Sequence, residues 1–490
     1  MLIDSLKVIN SFKNIFLGLL CLFMVGYSGY RLSLSPDKDP VVNFLQHFIK
    51  TKVTQHKVKN NVIKTLAASS ISENDIAAQE QDEDNGDIPT LSQGLIDYVL
   101  NDRGSRISDE FNIPNDLRKR IEFWFKIYTL YTISHAVLHD NEHPWIVYDV
   151  INLNSVYSKY RLADQRNAAK SQMIRNARYT YKNILEKLAN RSNYLFLSKD
   201  EQKVYALFKD IPGSRKTIFL KAKNSIRVQL GQRDSVLYAI KKSGRYLKNM
   251  EAIFEREKLP IELTRIPFLE SSFNLDAYSK DGASGIWQFM SKTGKIFLTV
   301  SYAQGIDERN HPLKATEAAA RLLKQNYQAL KDWPLAVTAY NHGPGGLLKG
   351  AKRVGSRNLN DLIENYKDPY FAFASKNFYS CFLAVTYAER YQDKIFGYVP
   401  KDEQLEHEDI EIKYSMRVKY IMELCGLTKA QIKTYNPDLR QKALDSRSYL
   451  PEGYYLKLPR GKRKPLLDFY REVEETNKIL DQMLGQEKES

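Results

Sequence analysis

Glu270 has the surroundings expected of a reacting group. It lies in Leu263-Thr-Arg-Ile-Pro-Phe-Leu-Glu-Ser-Ser-Phe273, framed by Leu263, Ile266, Pro267, Leu269 and Phe273. On a helix, Leu263, Ile266 or Pro267, and Glu270 share one face. A carboxyl on that apolar stripe is desolvated, which raises its pKa. A move from about 4.3 to about 6–7 disfavours the anion by roughly 3–4 kcal/mol and leaves a general acid able to donate near neutral pH. A lone carboxylate in an amphipathic helix is ordinarily exposed, so this frame alone decides nothing. Two further segments change the balance: Ser279-Lys-Asp-Gly-Ala-Ser-Gly-Ile-Trp-Gln-Phe-Met290 and Thr338-Ala-Tyr-Asn-His-Gly-Pro-Gly345. Each joins glycines, which let backbone approach a ligand, to amide and aromatic side chains. Amides hydrogen-bond hydroxyl and acetamido groups, and Trp and Tyr faces stack on sugar rings. Neither segment carries an obvious metal site or activated nucleophile. The set suits a neutral polyol chain, with no metal or cofactor required.

Glu270-Ser271, then Gly285-Ile-Trp-Gln288, then Ala339-Tyr-Asn-His-Gly343, in that order and spacing, resemble the lytic transglycosylase family, whose SLT domain is lysozyme-like. The resemblance is to the membrane-bound murein transglycosylase D type and is strong over residues 263–388. It implies cleavage of the β-1,4 bond between N-acetylmuramic acid and N-acetylglucosamine in peptidoglycan. Glu270 would protonate the glycosidic oxygen, then take the proton from the muramic C6 hydroxyl as that oxygen closes on C1. The product is a 1,6-anhydro end, and the second carboxylate usual in glycosidases is not needed. Asp276 and Asp281 lack an apolar frame and read as solvated loop residues. The family's glycan-contacting positions fall on Ser271, Gln288, Tyr340 and Asn341; Gln288 and Asn341 would hold acetamido and hydroxyl groups, and Tyr340 would line the cleft beside Glu270. Trp287 and Met290 are expected in the cleft floor or core. One departure stands out. Where the family has Glu-Thr-x-x-Tyr-Val, this chain reads Ala374-Ser-Lys-Asn-Phe-Tyr379, so Phe378 replaces a tyrosine that points at the acid. Either Tyr379 or Tyr340 substitutes, or desolvation alone governs Glu270. A water-using, goose-type-lysozyme-like muramidase and a non-catalytic peptidoglycan-binding scaffold are the alternatives.

The elements that position these residues are expected to be mainly α. Residues 236–400 form the lysozyme-like transglycosylase domain, preceded by an α-helical extension over 96–235. In that extension Asn115 can cap a helix whose buried face is Leu117, Ile121, Trp124, Phe125 and Tyr128. After the catalytic region come strand, two short helices and strand, a βααβ unit over 405–460. Tyr435-Asn-Pro-Asp-Leu439 and Pro451-Glu-Gly-Tyr-Tyr-Leu-Lys-Leu-Pro459 there resemble a LysM module, a binder of N-acetylglucosamine polymers. Residues 461–490 read as an amphipathic tail helix that packs back on the protein or on a partner.

The 490 residues carry a net charge of +15, which suits an anionic partner, and no zinc-finger, basic-zipper or RNP-type motif supports nucleic acid. Cys21, Cys381 and Cys425 are too few and too scattered for a disulfide framework. Lys7 and Lys13 precede an apolar run over residues 15–25 followed by small residues, so 1–30 reads as a signal peptide or membrane anchor. Residues 31–95, ending in a strongly acidic stretch, read as a flexible tether. The expected location is the bacterial cell envelope, exported or membrane-anchored in the periplasm. His135, His139 and His143 have metal-like i, i+4, i+8 spacing, but Pro144 ends the helix they would need, so a structural role is expected.

Overall fold

The computed structural model describes residues 90–486, so the N-terminal signal or anchor and nearly all of the tether expected above lie outside the described residues. The chain forms two compact units. The larger comprises residues 90–406 together with Asn436–Arg440, and the smaller His407–Tyr435 and residues 441–486. Helices dominate both, as the sequence pattern requires.

In the larger unit the helix Arg118–Thr129 buries Ile121, Phe123, Trp124, Phe125, Ile127 and Tyr128. Asn115 opens a single 3-10 turn, Asn115–Leu117, so the cap position of the longer helix falls at Leu117 without a side-chain bond. The region then departs from the all-helical expectation. Three strands, β1 (His135–Asp140), β2 (Val147–Asn152) and β3 (Ile226–Leu230), form an antiparallel sheet in the order β2-β1-β3. His135 pairs with Asn152, and Ala136 with Leu230. All six residues of β1 are buried, so it shows no period-two alternation. The cause is a core on each side. Val137 enters the main core, while Leu138 packs with Tyr148, Leu185, Leu188, Val204, Phe208 and Phe219 under the helices Ala163–Ala189, Lys199–Leu207 and Arg215–Ser225. The expected helix through His135 and His139 is therefore a strand, and His143 lies in the turn after it. The ring Nδ1 of His135 bonds Thr132, that of His139 lies 2.9 Å from the Asp140 carbonyl, and His143 faces the Asp140 carboxylate.

The helical region that carries Glu270 follows. The helix Leu247–Arg256 buries Leu247, Met250, Ile253 and Phe254 on one stripe. A 3-10 turn, Ile261–Arg265, leads into the short helix Ile266–Ser271. The helix Pro312–Leu330 presents fully buried Ala315, Ala318, Ala319 and Ala320, small residues that let neighbouring helices approach closely. Trp333–His342, Pro344–Val354, Leu359–Asn365 and the largely buried Phe373–Arg390 complete the bundle.

In the smaller unit β4 (His407–Glu411) pairs antiparallel with β5 (Tyr455–Pro459). The helices Val418–Cys425 and Lys429–Tyr435 lie between them, as expected, with an additional short helix Gln441–Leu444. The tail helix Lys464–Gln486 packs back through Leu466, Phe469, Tyr470 and Val473, while Ile479 is half exposed.

Candidate active site

Glu270 is positioned from both ends of its short helix. Upstream, the buried Arg265 guanidinium ties the 3-10 turn to its surroundings. Its Nε donates to Glu389 at 3.0 Å, and its terminal nitrogens reach Glu251, Thr264 and the Ile261 carbonyl. Burial alone would lower this guanidinium's pKa, but Glu389 and Glu251 outweigh it and raise it. Downstream, the helix stops one residue past Glu270. Ser272 (φ 51°) and Phe273 (φ 57°) both turn left-handed. The Phe273 ring is buried edge-on against Phe268 at 4.8 Å.

The Glu270 side chain is partly exposed at the end of this apolar frame. Among the described residues no hydrogen bond or ion pair reaches its carboxyl. Burial raises its pKa to about 8, with no second charge contributing. Asp276 and Asp281 are exposed on the loop that follows. The carboxyl is thus a neutral acid near pH 7, held by desolvation.

The loop 276–290 forms a lip beside Glu270. The Ser271 hydroxyl donates to the carbonyls of Pro267 (3.2 Å) and Ile286 (2.9 Å), so it stitches the short helix to the lip. Gln288 has a left-handed backbone (φ 49°) and turns its amide NH2 inward onto the Gly285 and Ala277 carbonyls. Among the described residues no protein donor reaches its amide oxygen. Trp287 is fully buried, stacked on Phe254 at 6.0 Å and bonded to Thr316, as a core residue. Met290 is not. It is 44% exposed, because it precedes the surface helix Ser291–Phe297 rather than entering the core.

Beneath the lip lies an ion pair that the sequence did not single out. Arg309, 1% exposed, grips Asp307 through Nε (2.9 Å) and Nη2 (2.8 Å). Its Nη1 donates to the carbonyls of Gly282 (2.8 Å) and Phe289 (3.0 Å), one at each end of the glycine loop. Burial would raise the Asp307 carboxyl, but the hydrogen bonds and charge of Arg309, joined by Arg440, hold it below the ordinary range. Gly285 (φ +76°) has to be glycine here, since a Cβ would sit 1.9 Å from the Arg309 carbonyl oxygen. That crowding is the only trace of the ion pair in the motif itself.

Tyr340 and Asn341 come from the end of the helix Trp333–His342. The Tyr340 hydroxyl donates to the Trp287 carbonyl at 2.7 Å, and its ring stacks on Phe378 at 6.3 Å and 15°. Burial, and secondarily the Glu270 charge, raise the pKa of its hydroxyl well above the ordinary value, which places it in electrostatic reach of the acid. Tyr379 is buried against Phe382, and the charge acting on its hydroxyl is that of Asp332. Of the two tyrosines weighed for the role lost at Phe378, Tyr340 is the one beside Glu270. Asn341 accepts a 2.7 Å hydrogen bond from the Ser375 hydroxyl at Oδ1, and among the described residues no protein acceptor takes its NH2. Ser375 was not anticipated as a site residue.

Residues 250–375 match the Transglycosylase SLT domain. All five site residues lie inside that SLT domain. Two kinds of curated relative share sequence with the chain. The membrane-bound lytic murein transglycosylase D of Escherichia coli K12 is 24% identical over 192 residues, 39% of this chain and 42% of its own length. A putative tributyltin chloride resistance protein of an Alteromonas species is 33% identical over 123 residues, 25% of this chain and 58% of its own length. The chain thus spans about half the length of the curated relatives it matches.

Proposed function

We propose that this protein is a peptidoglycan lytic transglycosylase, an enzyme of cell wall remodelling. The observation that carries this reading is the Glu270 carboxyl, set at the end of an apolar frame that raises its pKa and, among the described residues, without a hydrogen-bond or ion-pair partner. Its proton passes to the glycosidic oxygen as the bond from muramic C1 breaks, releasing the N-acetylglucosamine 4-hydroxyl. The carboxylate then accepts the C6 hydroxyl proton while O6 bonds to C1. The acid is regenerated, and no water is consumed. One carboxyl suffices for both steps, in keeping with the exposed positions of Asp276 and Asp281. The amide oxygen of Gln288 and the NH2 of Asn341 supply an acceptor and a donor for the acetamido and hydroxyl groups of the strand. Tyr340 lines the cleft with its ring, and Ser271 serves by holding the lip.

Residues 405–460 form a LysM-like module that holds the enzyme on its insoluble substrate and raises the local glycan concentration. Its strand–helix–helix order and the Pro451-Glu-Gly453 turn support this. The site of action is the cell envelope, reached by export or anchoring through residues 1–30. Among the described residues no helix is long and apolar enough to cross a membrane, and the apolar run lies outside them.

The test is digestion of purified peptidoglycan followed by mass spectrometry. Muropeptides ending in anhydromuramic acid, lighter by one water than reducing ends, are expected. Reducing ends alone would identify a muramidase, and no release at all would leave a binding scaffold.

A further inference from the structure

The helix Pro344–Val354 starts two residues after His342 and runs to a depression of about 420 Å³ lined by Arg353, Val354, Asn365, Tyr366 and Lys367. Its floor is the ring of Tyr366, which is 2% exposed and packed so closely under Gly350 that a Cβ there would lie 2.8 Å from it. Its rim carries two cations and an amide. Among the described residues no carboxylate pairs with Arg353 or Lys367. Of the nearby acids, Asp368 is engaged elsewhere. Asp368 accepts from the Tyr370 amide (3.0 Å) and the Tyr366 hydroxyl (3.1 Å) and pairs with Lys349. The Glu364 carboxylate acts on Arg120 and Lys376. Lys367 gives one hydrogen to the Glu364 carbonyl at 2.9 Å and keeps two donors. Two free cations beside a ring and an amide make a place for carboxylates, since charge-assisted hydrogen bonds to such groups are the strong ones.

Distance narrows the ligand. The 11 residues of this helix, at about 1.5 Å each, put the depression roughly 16 Å from the end of the helix that carries Tyr340 and Asn341. An extended peptide of about four or five residues spans roughly 13–18 Å. We propose that the depression bounded by Arg353 and Lys367 receives the carboxylates of the stem peptide hanging from the muramic residue bound in the cleft. The inference rests on the function proposed above and adds a peptide-reading subsite to it.

The double variant Arg353→Gln/Lys367→Gln tests it, because both side chains are exposed and the fold should persist. Two substrates are compared: strands bearing stem peptides, and strands stripped of them by an amidase. On peptide-bearing strands KM should rise about tenfold with kcat unchanged, and on bare strands neither should change. An unchanged KM on peptide-bearing strands, or an equal rise on both substrates, overturns the subsite while leaving the cleft assignment intact. If the unaltered enzyme yields anhydro ends from neither substrate, the function itself fails and this inference falls with it.

Discussion

Two carboxyl groups flank the same lip and behave in opposite ways. Among the described residues Glu270 has no partner, and burial lifts it to about 8. Asp307 is buried as well, yet the bidentate Arg309 holds it ionised. Enclosure alone therefore does not make an acid. What differs is the counter-charge. Where the chain supplies one, the carboxyl becomes part of a girder under the lip; where it withholds one, the carboxyl keeps a proton to give away. The lip needs both: a rigid underside and a reactive edge.

The sharpest way to break this contrast is Glu270→Gln. It keeps the shape and removes the proton traffic, so turnover should fall by about 10²–10⁴-fold while binding to wall material persists. Comparable wall digestion by both proteins would remove Glu270 from the chemistry. Next comes Arg309→Met, which removes the buried bidentate partner of Asp307 and leaves it only Arg440 at 3.4 Å. A loss of about 3–5 kcal/mol is expected in denaturant titration, with the lip loosened. A drop under about 1 kcal/mol would show that Asp307 is not held as described.

The two carboxyls should also respond to pH with opposite sign. Glu270 has a folded pKa above its ordinary value of 4.5, so the stability tied to its proton is whole below about 4.5 and wanes as pH rises through about 8. Relative to Glu270→Gln, the unaltered protein should melt progressively lower from about pH 5 to about pH 8, while turnover should hold until the proton is lost as pH rises through about 8. Asp307 is depressed, so its contribution is present above about 3.9 and disappears as the solution is acidified further. A parallel pH dependence of both melting curves would erase the distinction for Glu270.

Smaller effects sharpen it. Tyr340→Phe leaves the Trp287 carbonyl without its donor and should cost about 1 kcal/mol. Ser375→Ala frees Asn341 and should raise KM a few-fold, equivalent to about 1 kcal/mol, with kcat held. A kcat loss instead would place Ser375 closer to the chemistry.

Much of the reactive edge is legible in the chain itself. The apolar neighbours of Glu270 announce its desolvation, and three spaced motifs announce the match to the SLT domain. The girder is not legible. Asp307-Glu-Arg-Asn310 reads as a polar turn, because nothing local says that Arg309 will be covered by a loop twenty residues upstream. Strand β1 is hidden for a related reason. With a core on each face, it loses the alternation that marks a half-buried strand, and its histidines fall at helical spacing. Met290 departs from a core position in the other direction, since an apolar residue beside the buried Trp287 and Phe289 ends up at the exposed start of a helix. The smaller unit reads well because its strands are bounded by turn residues and its tail helix has a clean stripe.

The end of the Glu270 helix has a cost of its own. Two successive residues other than glycine, Ser272 and Phe273, hold a handedness that disfavours side chains by about 1–2 kcal/mol each. The tension is contained because the Phe273 ring is wedged against Phe268 and cannot swing out. Glycine at 272 would relax the bend and should yield a hardier protein, but it would also let the carboxyl wander, so that variant should melt higher and cut more slowly.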